Sequence, residues 1–227
     1  SAGVPDATKI AVINNNTFAI PILALSADVL DITLTPGVFF QMPTTSVLRI
    51  HRNGVFNGVV IGDAFGSGTI RVTSTTQGCT LQGATALPGV IVDTNGFSTV
   101  ISGQLILGSL VLTSGALSIG NAGNTVQVSG NAQFNGGSLS NAGGTLDVVG
   151  NIFFTFGGTS SPNPPAIRCS GTLNTWSGFA PATGAITFYG GQTGIASHNY
   201  GAVYLNDVIV DSGSFSFAGT IHCTTRL

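Results

Sequence analysis

The chain has 227 residues, of which 6% are Asp, Glu, Lys or Arg, and its formal net charge is −2. Ordinary globular domains carry roughly 25% charged residues. With six Lys and Arg residues in all, the chain has no basic stripe to displace counterions from phosphates, so we expect no nucleic-acid partner. Apolar residues make up 43% of the sequence, which excludes a disordered, low-complexity chain.

The first 58 residues differ in composition from the rest. The stretch from Ile10 to Leu34 is more apolar, and Pro21, Pro36 and Pro43 interrupt this part of the chain. We interpret residues 1–58 as an N-terminal segment of strands and turns that either caps the fold or exchanges a strand with a neighbouring subunit. The candidate subunit contacts are its apolar residues Ile10, Val12, Ile13, Phe18, Ile20, Ile22 and Leu23.

The best candidate for a membrane span lies in the same segment, from Ile10 to Leu30, but Asn14, Pro21 and Asp28 interrupt it. A spanning helix needs about 20 predominantly apolar residues, so we predict no membrane span. The chain begins Ser-Ala-Gly-Val-Pro with no basic, apolar leader, as a mature secreted protein does after removal of its signal peptide. Together with the scarcity of Lys and Arg, this start predicts an extracellular protein at a cell surface.

Short strands dominate from about Gly68 onwards. Runs of alternating apolar and polar residues are separated by Gly, Asn and Ser at intervals of about ten residues, the pattern of an all-β fold. Helix signals are nearly absent, because the chain has no Glu, a single Lys and one Met. The sequence therefore predicts an all-β protein.

An internal repeat selects one fold within this class. Gly115–Ser118 and Asn121–Asn131 recur as Gly137–Ser140 and Asn141–Asn151, with an offset of 20 residues once a two-residue insertion is allowed. A parallel β-helix explains this period, because each coil lies about 4.8 Å above the last and brings like residues into register. We predict a parallel β-helix, or β-solenoid, with coils of about 20 residues over residues 59–227. From Gly68 to the end, about seven or eight coils would fit.

Phenylalanine is abundant, with 14 residues against one Trp and three Tyr. We expect most Phe side chains to stack inside the coils, namely Phe134, Phe153, Phe154, Phe156, Phe179 and Phe188. Aromatic residues with a polar edge could instead lie on an outer face and bind sugar rings. The candidate glycan contacts are Trp176, Tyr189, Tyr200 and Tyr204.

The three cysteines lack the spacing of a metal site, so we predict neither a metal nor a cofactor. One disulfide, Cys169 with Cys223, would leave Cys79 unpaired. Three buried free thiols are an equally good interpretation.

The C-terminal strands carry the pattern of a known class of proteins. Gly184–Gly191 fits a G-x-[IV]-x-F-x-G strand, and Tyr204–Val210 fits an aromatic-L-x-x-[LIV]-x-[LIV] strand, followed by the strand pattern of Ser214–Cys223. From Gly68 to Cys223 the chain resembles bacterial and phage surface β-solenoid proteins such as autotransporter passengers, filamentous adhesins and tail spikes. The resemblance implies a secreted surface protein.

Three functions are compatible with the sequence. The first is a non-enzymatic extracellular structural protein that self-assembles into a filament or surface layer, by end-to-end stacking or strand donation. The second is a receptor- or glycan-binding module of an adhesin or tail spike. The third is a polysaccharide lyase or hydrolase, which needs clustered carboxylates. Asp207 and Asp211, with His198 or Arg168 nearby, are its best candidates, although Asp211 lies in an Asp-Ser-Gly turn string.

Overall fold

The computed structural model describes residues 6–14, 21–23, 25–62, 64, 66–140, 143–155, 159–160, 165–176, 185–197 and 203–226. Within these residues the chain forms 24 strands and no helix. The strands are β1 Ile10–Ile13, β2 Ser26–Leu34, β3 Phe39–Gln41, β4 Val47–Phe56, β5 Val59–Ile61, β6 Thr69–Thr73, β7 Cys79–Gly83, β8 Ala86–Leu87, β9 Gly89–Gly103, β10 Ile106–Leu107, β11 Leu110–Ile119, β12 Thr125–Val128, β13 Ala132–Phe134, β14 Ser138–Ser140, β15 Thr145–Val148, β16 Ile152–Phe154, β17 Thr159–Ser160, β18 Ala166–Cys169, β19 Thr172–Thr175, β20 Ala185–Phe188, β21 Gln192–Ser197, β22 Val203–Val210, β23 Ser214–Ala218 and β24 Ile221–Arg226.

The strands stack in parallel as a β-solenoid whose coils have three faces. The first face carries the N-terminal halves of β2, β4, β9 and β11, together with β6, β13, β16, β19, β21 and β23. The second face carries the C-terminal halves of the same four long strands, together with β1, β7, β14 and β17. The third face carries the pair β3 and β5, and then β8, β10, β12, β15, β18, β20, β22 and β24.

The long strands turn from the first face to the second by local irregularities. β9 bends at Asn95 and Gly96, whose φ angles are 45° and 92°, and β11 bends at Gly115, whose φ is 86°. Glycine adopts this left-handed backbone without steric cost, and Asn tolerates it better than most residues. The turn residues thus place successive strands of one coil on different faces.

The predicted fold and repeat are confirmed. Coils lie about 21 residues apart. Leu117 pairs with Leu139, 22 residues later, and Val126 pairs with Leu146, 20 residues later. The two-residue insertion therefore falls between these positions, as the sequence predicts. On the first face, β6, β9, β11, β13, β16, β19, β21 and β23 form eight successive rungs, in agreement with the predicted seven or eight coils.

The core lies inside the coils, because the strands alternate inward apolar and outward polar residues. Phe134, Phe154 and Phe188 are fully buried there, as predicted, and the rings of Phe134 and Phe154 stack with centroids 4.5 Å apart. Phe153 is the exception, because it occupies the outward position between two inward residues of β16. Phe156 and Phe179 lie outside the described residues.

The solenoid continues across residue 58, where the sequence predicted the end of a distinct N-terminal segment. β1 pairs with β2, β2 with β4, and β4 with β6, all in one parallel sheet. Two of the three prolines that set this segment apart lie at coil corners: Pro36 lies between β2 and β3, and Pro43 between β3 and β4. They mark turns of the same solenoid, since proline lacks the amide that a central strand needs.

The predicted disulfide is not formed, and all three cysteines are free thiols. Cys169 in β18 and Cys223 in β24 lie on the third face with β20 and β22 between them. Three strand spacings amount to roughly 14 Å, well beyond the Cα separation of about 7 Å that a disulfide can bridge. Cys79 and Cys169 are buried and Cys223 is partly buried, which is the alternative that the sequence left open.

Candidate functional site

Charged side chains of the first coils pair with one another across neighbouring coils. On the first face, Asp28 lies 3.6 Å from Arg49 and 3.0 Å from the His51 Nε2. At the adjoining corner, Arg52 Nε donates to Asp31 Oδ1 at 2.9 Å, and its second nitrogen contacts Oδ2. This hydrogen bond from Arg52 is the main cause that lowers the pKa of Asp31.

The next coils repeat this arrangement. Arg71 contacts Asp93 across the first face, and Ser114 Oγ donates to the same carboxylate at 2.7 Å. Both contacts lower the pKa of Asp93, with Arg71 the larger cause. These partly exposed ion pairs link successive coils, a structural role worth at most about 1 kcal/mol per pair.

The residues predicted for polysaccharide cleavage lie in and directly after β22 and in β18. Asp207 is the register partner of Arg226, whereas Arg168 lies in β18, separated from β22 by β20. Asp211 follows the end of β22, and its amide donates to the Phe188 carbonyl at 2.8 Å. His198 lies outside the described residues. Over the described ranges, no group of three or more His, Cys, Asp or Glu side chains could hold a metal ion.

One predicted glycan contact, Tyr189, takes part in a cluster on the third face. Its phenol donates to Asp147 Oδ1 at 2.6 Å, and the guanidinium carbon of Arg168 lies 4.8 Å from its ring centroid. Burial and then the hydrogen bond to Asp147 raise the pKa of Tyr189 to about 12. The hydroxyl of Tyr189 is hydrogen-bonded to Asp147 and one face of its ring contacts Arg168, so Tyr189 is better suited to link three coils than to bind a sugar.

Of the other three predicted glycan contacts, the structure describes Tyr204 and Trp176. Tyr204 lies in β22 as the register partner of His222, and Tyr200 lies outside the described residues. Trp176 follows β19 on the first face, where its ring centroid lies 6.3 Å from that of Phe153 in the coil below. This outward aromatic pair includes a residue that sequence reasoning assigned to the core. The strict alternation Ile152, Phe153, Phe154 was the signal that could have identified Phe153 as outward-facing.

The C-terminal end of the solenoid exposes residues in core positions. Leu173, Ile195 and Phe217 share one inward register on the first face, and their exposed fractions are 0%, 2% and 62%. On the third face, Val210 is the register partner of the buried Phe188 and is 45% exposed. β23 and β24 are the edge strands of their sheets at this end. Among the described residues, this end of the solenoid therefore exposes apolar side chains in core positions.

The N-terminal end holds most of the predicted subunit contacts. Ile10 and Val12 in β1 are 60% and 57% exposed, while Ile13 and Leu23 pack partly against the core. Ile22 forms a single parallel bridge with Gln41 on the third face. β1 pairs with β2 along one edge and is the outer strand of its sheet. Phe18 and Ile20 lie outside the described residues.

Comparisons with protein-family models, with curated proteins and with solved structures find no match to this chain. In the part of the chain that the structure describes, no helix could cross a membrane. The features that bear on function are therefore those of the solenoid itself: its open C-terminal end, its edge strands and its outward aromatic pair.

Proposed function

We propose that the protein is a non-enzymatic extracellular structural protein, a β-solenoid subunit that self-assembles by end-to-end stacking. The observation that carries this proposal is Phe217, which occupies a core register and yet is 62% exposed. Fully burying a Phe side chain stabilises a protein by roughly 1.5–3 kcal/mol. A further coil placed on β23 and β24 would bury this side chain and pair both open strand edges.

A second copy of the chain is the occupant that best fits this end. Parallel stacking has a direction, so a C-terminal edge is continued by the N-terminal edge of another solenoid. That edge offers the N-terminal half of β2 on the first face and β1 on the second face for backbone pairing. Ala11, Ile13 and Leu23 are its partly covered side chains that pack against the core. Such a head-to-tail contact does not close on itself and leads to a filament.

The low charge of the chain supports the same proposal. A net charge of −2 spread over 227 residues leaves little repulsion between approaching copies. The extracellular location is supported by the scarcity of Lys and Arg and by the resemblance to surface β-solenoid proteins. In place of donating β1 to a neighbour, each copy would keep β1 paired with β2 and use the other edge of β1.

The test is to measure particle size by light scattering and electron microscopy as a function of protein concentration, for the wild type and for Phe217→Asp. We expect concentration-dependent rods in the wild type and monomers in the variant, because an Asp at this position would be buried unpaired in the contact. Ile106→Asp is the matched control, since Ile106 is an exposed apolar residue, 40% exposed, on the side of the rod. A wild type that stays monomeric at millimolar concentration refutes the proposal.

Glycan binding is the second candidate, favoured by the pair Phe153 and Trp176. Two aromatic rings on the first face, with Gln133 below Phe153 and Asn174 above it in register, provide stacking surface beside amide groups. A glycan array probed with the wild type and with Trp176→Ala tests this candidate. Undiminished binding of every glycan by the variant would exclude this surface.

A further inference from the structure

A shallow groove lies on the side of the rod, at the corner between the second and third faces. Its volume is about 420 Å³, and it is widely open to solvent. Asn57, Gln82, Ser102 and Gln104 line it with amide and hydroxyl groups, and Val55 and Ala84 add apolar surface. None of the side chains that line the groove is charged or aromatic.

The groove arises from the lengths of successive corners. Three consecutive coils turn from the second to the third face with two residues each, 57–58, 84–85 and 104–105. The coil before them uses residues 35–38 and the coil after them uses residues 120–124. Three short corners between two longer ones leave a recess, and Asn124 of the last corner lines its end. Its long direction therefore runs along the rod axis.

Two glycines form the floor of this recess. Gly83 and Gly103 have positive φ angles, and a Cβ on either would clash with a carbonyl oxygen of the coil beneath. The floor is thus bare backbone, and only the flanking residues project side chains towards a ligand. Close stacking of the coils is by itself sufficient to explain these two glycines.

Several polar groups of the groove are not used by the protein. The side chains of Asn57, Gln82 and Ser102 make no hydrogen bond within the described residues. Gln104 Nε2 donates to the Gly123 carbonyl at 3.0 Å, which leaves its amide oxygen available. Asn57, Gln82 and Gln104 belong to successive coils, so amide groups repeat along the groove at the coil spacing of about 4.8 Å.

We infer that this groove binds a linear neutral saccharide that lies along the rod axis with about one sugar ring per coil. Uncharged amides and a hydroxyl match the hydroxyl groups of such a ligand as donors and acceptors, and Val55 and Ala84 can contact its C–H faces. A phosphate or a carboxylate would find no cation among the lining residues. The site lies on coils away from both ends and is therefore independent of the proposed stacking contact.

Titration calorimetry of the wild type with cellotetraose, maltotetraose and chitotetraose tests the inference. We expect saturable binding of at least one, weakened about tenfold or more in the double variant Gln82→Ala/Gln104→Ala, which loses hydrogen bonds to the ligand. Both side chains are exposed, so circular dichroism and thermal unfolding should be unchanged. Gln77→Ala, an amide at the corner between the first and second faces, is the control that should bind within about twofold of the wild type. Trp176→Ala tests the aromatic pair as the alternative surface in the same experiment.

Three results would overturn the inference. They are the failure of all three tetrasaccharides to bind at millimolar concentration, a double variant that binds like the wild type, and equal binding of charged tetragalacturonate. Loss of binding in Trp176→Ala alone would place the sugar on the aromatic pair and so overturn the groove assignment. The stacking proposal is tested by particle size, and none of these binding results depends on particle size. The two proposals can therefore fail independently.

Discussion

Phe153 and Phe154 are consecutive residues of β16 that point to opposite sides of the sheet, so truncating each to Ala measures what the core contributes. Phe154 is 0% exposed and stacks on Phe134 with centroids 4.5 Å apart. Its removal loses the transfer free energy of a buried ring and leaves a cavity between coils, a total cost of about 3–5 kcal/mol. Phe153 is only partly buried beside Trp176, and losing that contact should cost no more than about 1.5 kcal/mol.

The assay is guanidinium unfolding followed by circular dichroism, together with native-state hydrogen exchange of the amides in β13, β16 and β19. Hydrogen exchange is included because a stack of coils can open locally before it unfolds as a whole. We expect Phe154→Ala to increase exchange in these three strands far more than Phe153→Ala does. Equal losses of stability in the two variants would refute the assignment of inward and outward positions in β16.

Three other predictions follow from single positions. Thr99→Val should raise the free energy of unfolding by about 1 kcal/mol, because the Thr99 hydroxyl is buried with no partner among the described residues; a loss of stability in urea unfolding would contradict this. Arg52 lowers the pKa of Asp31 in the folded state. The stability that this pair contributes is therefore fully present above the unfolded pKa of about 3.9, and it is lost as the pH falls through the lower folded pKa. The fall in Tm on acidification should therefore be smaller in Arg52→Gln than in the wild type, and equal falls would count against the pair. Gly103→Ala should lower Tm more than Gly123→Ala, since both glycines have positive φ but only a Cβ at Gly103 would clash with the coil beneath; equal shifts would show that stacking does not require Gly103.

The repeat around residues 115–151 was enough to predict the fold, because in a solenoid the sequence offset and the strand register are the same quantity. The sequence offsets alone predict that Leu139 lies above Leu117 and that Leu146 lies above Val126. The N-terminal coils were harder to recognise, since their spacing varies: Asn53 pairs with Thr80 at an offset larger than that of the repeat. Prolines at the corners of these coils are the reason that the sequence predicts a separate N-terminal segment.

The candidate sites depend on information that local sequence does not contain. The exposure of Phe217 follows from its being in the last rung of the first face, and nothing in Phe215-Ser216-Phe217 itself distinguishes it from an inner strand. The groove depends on the relative lengths of corners in three consecutive coils, which requires the bounds of every strand. The choice between a Cys169–Cys223 disulfide and free thiols stayed open for the same reason, because the number of strands between the two cysteines cannot be obtained from local sequence.

Pairing between adjacent coils also determines how this chain can fold. Each strand pairs with the strand about 21 residues before it, so adding a coil closes a loop of about the same length wherever the coil lies in the rod. A chain emerging N-terminus first could lay every new coil on the one already formed, before the rest has been made. The entropy cost of each addition is then set by one coil, and lengthening the rod would not make its later steps harder.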